Sequence, residues 1–213
     1  MDLDGVLARL FPATCVGCRR AGAALCAACV AGGEDEQRFV AGTLPVIALG
    51  VYAGTLRRAV LAVKRGRRDV ADALACALFE RFETTLPRDV VLVPVPTSTA
   101  RRAARGFDQG ALLAAGLGMR AGLPVLCALT ERAHAAQHGH DRAARLAARD
   151  RFDSATLVAG TRVLLVDDVV TTGATLRDCA AALRRRGAAP RGALVVARAL
   201  AGAAERSGER LRA

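Results

Sequence analysis

The run Val163-Leu164-Leu165-Val166-Asp167-Asp168-Val169-Val170-Thr171-Thr172-Gly173-Ala174-Thr175 changes character twice within thirteen residues. Val163 to Val166 is a short continuous apolar run, the pattern of a strand buried on both faces. It delivers two adjacent carboxylates at its carboxyl end, the edge on which open α/β sheets bind their ligands. Thr171 to Thr175 then opens a helix. Backbone N–H groups at a helix start have no intrahelical acceptor. With the hydroxyls of Thr171, Thr172 and Thr175, and Gly173 permitting close approach next to Ala174, they form a cradle for a phosphate monoester. One ligand satisfies both halves: a sugar phosphate with its 5′-phosphate in the loop and its ribose hydroxyls on Asp167 and Asp168, directly or through Mg²⁺. A helix N-cap beside two solvated acids is the plainer alternative. Capping alone, however, does not require a double Asp, a double Thr and a Gly in succession.

The flanking segments repeat the strand-to-helix alternation. Val46 to Tyr52 reads as a strand, and Thr55 to Lys64 as a helix capped by Thr55 and stopped at Gly66. Asp69 to Phe82 reads as a second helix, with Val70, Leu74, Leu78 and Phe82 on one face. Val90 to Val93 predicts a buried strand, Ala111 to Leu117 a helix, Val125-Leu126 a short strand, and Asp141 to Asp150 a polar helix rich in Arg. After the motif come a helix from Ala174 to Arg186, stopped at Gly187, and a last strand from Leu194 to Ala197. The fold class is therefore α/β, a mainly parallel sheet with helices on both faces. Residues 43–200 are expected to form this domain. Residues 1–42 form a small N-terminal module whose linker, Ala31 to Gly42, mixes Gly with Glu34, Asp35 and Glu36, and residues 201–213 form a frayed tail.

A chain of 213 residues can bury a full core, and a hydrophobic share of 53% excludes disorder. Aromatics make up only 3%, with no Trp, which argues against a stacking platform for single-stranded nucleic acid. The formal charge of +11 implies attraction to a polyanion or a phosphorylated small molecule, or else Arg serving as the ordinary solvated residue. The start Met1-Asp2-Leu3-Asp4 is acidic where a secretory signal is basic. The longest uncharged stretch, Phe39 to Leu56, carries Pro45, Gly42, Gly50 and Gly54, so it suits a strand and turn better than a membrane span. A cytoplasmic location is expected.

Cys15-x2-Cys18-x7-Cys26-x2-Cys29 brings two Cys-x2-Cys turns together, the spacing that lets four thiolates surround one Zn²⁺. Four sulfur ligands leave no open coordination position, so this metal would be structural. Disulfides fit a cytosolic chain poorly. Cys76, Cys127 and Cys179 stand alone in apolar surroundings and are expected to be buried, inert thiols.

The thirteen-residue run resembles the phosphoribosyl pyrophosphate motif of type I phosphoribosyltransferases. The whole chain, from Cys15 to Arg198, is similar to the ComF/GntX family of competence-associated proteins. The resemblance rests also on the cysteine knuckle, Tyr52, Lys64, Val93-Pro94-Val95-Pro96, Arg105-Gly106-Phe107-Asp108-Gln109, Gln137 and Arg145 ahead of Phe152. The family's pattern carries Asn three residues after the Arg matching Arg145, where this chain has Ala148. The resemblance implies a Mg²⁺-dependent phosphoribosyltransferase-like domain, a role in DNA uptake, and a helicase-like uptake protein as partner. It places His134, His138 and His140 near a mobile lid.

A bound pyrophosphate needs donors besides the loop. Pro96 to Arg102 follows a strand end, where Arg101, Arg102 and Arg105 could close over it. A solvated basic turn is the alternative. Lys64 serves equally well as a site cation or as a complement to its helix dipole. Arg142, Arg145 and Arg149 form a basic helical stripe, in the first instance a solvated face. Three functions stay open: transfer of phosphoribose from its pyrophosphate donor to a nitrogen base, non-catalytic binding of a nucleotide or single-stranded DNA during uptake, and sensing of the donor by a regulator. The last is the weakest, since nothing resembles a helix-turn-helix.

Overall fold

The computed structural model describes residues 12–33, 35–132, 151–155 and 159–200, with the side chains of 99–101 excluded. The tail at 201–213, the predicted helix at 141–150, Gln137, Ala148 and the three histidines lie outside the described residues.

In chain order the elements are α1 (Ala27–Ala31), β1 (Gln37–Ala41), β2 (Leu44–Val51), α2 (Gly54–Lys64), α3 (Arg68–Phe82), β3 (Val91–Pro94) and α4 (Thr99–Arg105). They continue with α5 (Gln109–Ala121), β4 (Leu129–Glu131), β5 (Phe152–Ser154), β6 (Arg162–Val170), α6 (Ala174–Arg185) and β7 (Ala189–Arg198). Five strands form one sheet in the order β1-β2-β7-β6-β3. β2, β7, β6 and β3 run parallel, and β1 pairs antiparallel with β2. β4 and β5 make a separate antiparallel pair.

The apolar runs behave as a doubly covered sheet requires. Leu164 and Val166 of β6, with Leu194 and Val196 of β7, pack into a core with Leu56, Val60, Leu74, Leu78, Leu113 and Leu117 of α2, α3 and α5. Val163 and Leu165, with Ala193 and Val195, face the other way, against Leu176, Cys179 and Leu183 of α6 and Phe152 of β5. Period-two alternation thus sends successive residues into two cores, and helices cover both faces of a mainly parallel sheet.

Four expectations change. Gln37 to Ala41 falls in the predicted linker but forms β1; alternate residues turn inward, and pairing with β2, which its own polar start does not signal, makes it a strand. Thr55 does not cap α2: Ala53 holds that position, and the Thr55 hydroxyl accepts from Arg58 within the first turn. Val125-Leu126 contributes only a single parallel bridge, Val125 to Leu92, at the sheet edge. Among the lone cysteines Cys179 is buried as expected, Cys76 is half-buried and Cys127 is exposed.

Candidate functional site

β6 runs on to Val170, four residues past the apolar run, because β7 continues beside it: Asp167 stands opposite Val195 and Val170 opposite Arg198. Both carboxylates are therefore held by a sheet ladder, not by a loop. Although they are consecutive on the strand, both side chains line one cleft and interact with each other through their carboxyl groups. Each accepts a short bond from the next backbone N–H, Asp167 Oδ1 from Asp168 at 2.8 Å and Asp168 Oδ1 from Val169 at 2.7 Å. The free oxygen of Asp168 meets Lys64 Nζ at 3.1 Å. Burial, reinforced by the neighbouring Asp168 charge, holds the Asp167 carboxyl well above the usual range, and Lys64 only partly offsets this.

Thr171 to Gly173 turn the chain into α6, whose N-cap is Gly173 at φ 73°. A side chain there would be strained by the backbone and would also collide with β1, since its Cβ would lie 2.6 Å from that of Ala41. A recess of about 60 Å³ is lined by Asp167, Val169, Val170 and Thr171 to Leu176. It lies at the start of a twelve-residue helix, the positive end of its dipole, where Ala174 N–H donates to the Thr172 hydroxyl at 3.4 Å. The loop is braced by Arg177, which donates to the Thr172 carbonyl at 3.1 Å.

Next to this recess lies a polar cleft of about 430 Å³ lined by Lys64, Val95 to Ser98, Arg105, Gln109, Gly110, Arg151, Asp167 to Val169 and Thr175. It opens at the carboxyl ends of β3 and β6, tied together where Val95 N–H donates to the Val166 carbonyl at 2.9 Å. The recess at the threonine loop and the cleft at the carboxylates thus adjoin, sharing Asp167, Val169 and Thr175. Of the predicted arginines, Arg105 lines the cleft, Arg102 is exposed on α4 and does not line it, and the Arg101 side chain lies outside those described.

Three further cleft residues come from outside the thirteen-residue run. Lys64 reaches it from the end of α2. Gln109 opens α5. Arg151 spans from Glu131, at 2.9 Å, to the Thr175 hydroxyl, at 3.4 Å, with its guanidinium 5.0 Å from the Phe152 ring centre. Of these, Lys64 was legible as a possible site cation, Lys64 and Gln109 both belonged to the family resemblance, and Arg151 gave no signal in the sequence.

The four cysteine sulfurs lie within 4.8 Å of one another. Cys15 to Cys26 and Cys18 to Cys26 are both 3.7 Å, close to the edge of about 3.8 Å in a ZnS₄ tetrahedron with Zn–S bonds of about 2.3 Å. The donor set fits zinc. Burial raises the Cys15 thiol, but N–H donors from Cys18, Cys26 and Gly17 outweigh it and bring the group down to about 6; burial and the neighbouring sulfurs push Cys29 up to about 12. Cys15 and Leu25 pack in the same core as Leu56 and Val60, so the knuckle is built onto α2. Among the described residues no helix is long and apolar enough to cross a membrane.

Residues 53–210 match the phosphoribosyl transferase domain family. The DNA utilization protein YhgH of Salmonella typhi is 34% identical over 68% of this chain and 67% of its own length. The competence protein ComFC of Bacillus subtilis is 33% identical over 59% of this chain. The chain spans only about half, 51%, of that relative's length. Orotate phosphoribosyltransferase from Aeropyrum pernix matches 84% of this chain and 83% of its own at 22% identity and a TM-score of 0.43. With the match over residues 53–210 and the four-cysteine knuckle ahead of it, the chain belongs to the phosphoribosyl transferase domain family and, with its homologues ComFC and YhgH, to the ComF family.

Proposed function

We propose that this chain binds phosphoribosyl pyrophosphate, or a ribose 5-phosphate nucleotide, together with Mg²⁺, and transfers phosphoribose to a nitrogen base. The observation that carries the reading is the adjacency of two ladder-held carboxylates in a polar cleft at the ends of β3 and β6 and a recess at a threonine-glycine helix start. Thr171, Thr172, Gly173, Ala174 and Thr175 would hold the 5′-phosphate, and Asp167 and Asp168 the ribose hydroxyls, directly or through Mg²⁺. Arg105, the one predicted arginine among the described side chains that lines the cleft, would neutralise the pyrophosphate. As the C1–O bond breaks, pyrophosphate would leave with the electron pair while a base nitrogen bonds to C1 and gives up its N–H proton to solvent; Mg²⁺ and Arg105 would stabilise the charge that develops on the leaving group. The cysteine knuckle would hold one structural Zn²⁺, and the chain would act in the cytoplasm.

Calorimetric titration with phosphoribosyl pyrophosphate and Mg²⁺ tests the binding step. Heat that disappears in the Asp167→Asn, Asp168→Asn double variant supports it; no heat in the unaltered chain rejects it. A screen of purine and pyrimidine bases for pyrophosphate release then tests transfer.

The names of the relatives, a competence protein and a DNA utilization protein, together with the charge of +11, favour a second reading. In it the same site serves a non-catalytic accessory of DNA uptake that also binds single-stranded DNA and a helicase-like partner. DNA binding of that kind weakens steeply with salt, so a flat salt profile would remove it.

A further inference from the structure

One polar side chain of the cleft has no place in the scheme above. Gln109 is 4% exposed, and its Nε2 has no hydrogen-bond partner among the described residues, yet the side chain lines the cleft with Thr97, Ser98, Asp167 and Asp168. Proteins seldom keep a buried donor unpaired, because it forfeits its bonds to water and gains nothing in return. The neighbours of Gln109 fix its place. Gly110 sits so close to the turn after β3 that a Cβ would lie 2.6 Å from the Val95 carbonyl oxygen. Asp108 caps α5 by accepting from Ala111 N–H at 3.1 Å, and its other oxygen accepts from Thr97 N–H at 2.9 Å. The start of α5 and the turn at Val95–Ser98 are thereby one unit, and Gln109 lines the cleft beside that turn.

We propose that Gln109 is a specificity-determining residue, donating its amide N–H to the diphosphate arm of the bound donor. The assignment rests on the phosphoribosyl reading above. With the 5′-phosphate in the Thr171–Thr175 loop and the ribose on the acids of β6, the arm at the sugar's first carbon extends toward the turn at Val95–Ser98, beside Gln109. An uncharged donor suits that place. It attracts phosphate oxygens without competing with Lys64 for Asp168, whereas a carboxylate of the same shape would repel them.

The test is titration of the full chain in Mg²⁺ with phosphoribosyl pyrophosphate and, separately, with ribose 5-phosphate, which lacks the arm. Gln109→Leu is expected to weaken binding of the pyrophosphate donor about tenfold and of ribose 5-phosphate by less than about twofold. Gln109→Glu abolishes binding of the pyrophosphate donor and keeps that of ribose 5-phosphate. The ligand-free Tm of Gln109→Leu equals or exceeds that of the unaltered chain, since the lost donor had no partner. Equal losses for both ligands, or donor affinity within about twofold of the unaltered chain in either variant, overturn the assignment. If Gln109→Leu does not fold, the amide has a structural role and the assignment also falls. An unaltered chain that binds no donor overturns the phosphoribosyl reading itself, a result distinct from normal binding by the variants.

Discussion

Lys64 Nζ stands 3.1 Å from Asp168 Oδ2, so one of the two carboxylates of β6 enters the cleft already paired with a cation from α2. Both side chains are mostly shielded, 27% and 16% exposed, and shielded pairs are screened less by salt than surface pairs. Lys64→Met keeps the stem and removes the charge, leaving two neighbouring carboxylates without their cation. Urea unfolding should show a loss of about 1–2 kcal/mol. Arg162→Met, which breaks the exposed pair with Asp89, should cost less than about 0.5 kcal/mol. A Lys64 variant no less stable than the Arg162 one would show the pair to be incidental.

Asp167 gives the fold a pH dependence of definite sign. Its carboxyl is raised by burial and by Asp168, so the folded chain holds this proton after the unfolded chain has released it. Its contribution to stability is complete below the unfolded value of about 3.8 and falls as pH rises toward the raised folded value. Asp167→Asn should therefore be more stable than the unaltered chain at neutral pH, with the difference shrinking as pH falls toward 4, about the unfolded value. Mg²⁺-dependent ligand binding, which needs the ionised acid, should weaken in the unaltered chain over the same descent. Unfolding curves and titrations across the range read both effects; a variant less stable at neutral pH contradicts the sign.

How much of this was legible follows from where each residue finds its partners. The carboxylates and the threonine loop lie in one run, so β6, the turn and α6 could be read together. The knuckle was legible because cysteine spacing reports geometry directly. Lys64, Gln109 and Arg151 reach the cleft from α2, α5 and the start of β5, and only the parallel stacking of β3 against β6 brings them together. β1, β4 and β5 are short, and β4 and β5 have three residues each; their strand character comes from pairing, not from their own composition. Asp167 and Asp168 read as an undifferentiated pair, whereas in the fold Asp168 takes Lys64 as its ion-pair partner and Asp167 is the carboxyl raised by burial.

The knuckle is predicted to support the site through α2. Cys15 and Leu25 share a core with Leu56, Val60 and Val63, and the same helix ends in Lys64. Metal analysis of the purified chain should find one zinc. Cys18→Ser removes an exposed ligand, so it changes coordination without opening a cavity in the core. The variant should lose zinc and its Tm should fall by several degrees, the order expected for a loss of about 1–2 kcal/mol in a chain of this size. Donor affinity should fall with it, as Lys64 loses its register on Asp168. A variant that loses zinc but keeps both Tm and affinity would show the knuckle to be independent of the cleft.

Gly173 separates backbone demands from side-chain chemistry, because it contributes no hydrogen-bonding side chain and yet sets the path of the loop. Its φ of 73° disfavours any other residue, and a methyl group there would stand 2.6 Å from the Ala41 Cβ, which belongs to the edge strand and has no rotamer to escape into. Gly173→Ala must either strain the turn or push β1 away, at a combined cost of about 2–3 kcal/mol. The Thr171, Thr172 and Thr175 hydroxyls are all retained, but the N–H groups at the start of α6 no longer converge on one point. Phosphate affinity should drop at least about tenfold, as expected when charge-assisted bonds worth about 1.5–3 kcal/mol are lost, while zinc content stays unchanged. Ala41→Gly in the same chain removes the collision but not the left-handed strain, so it should restore part of the stability. Full restoration would show that contact with β1, and not the backbone angle, makes glycine necessary at residue 173.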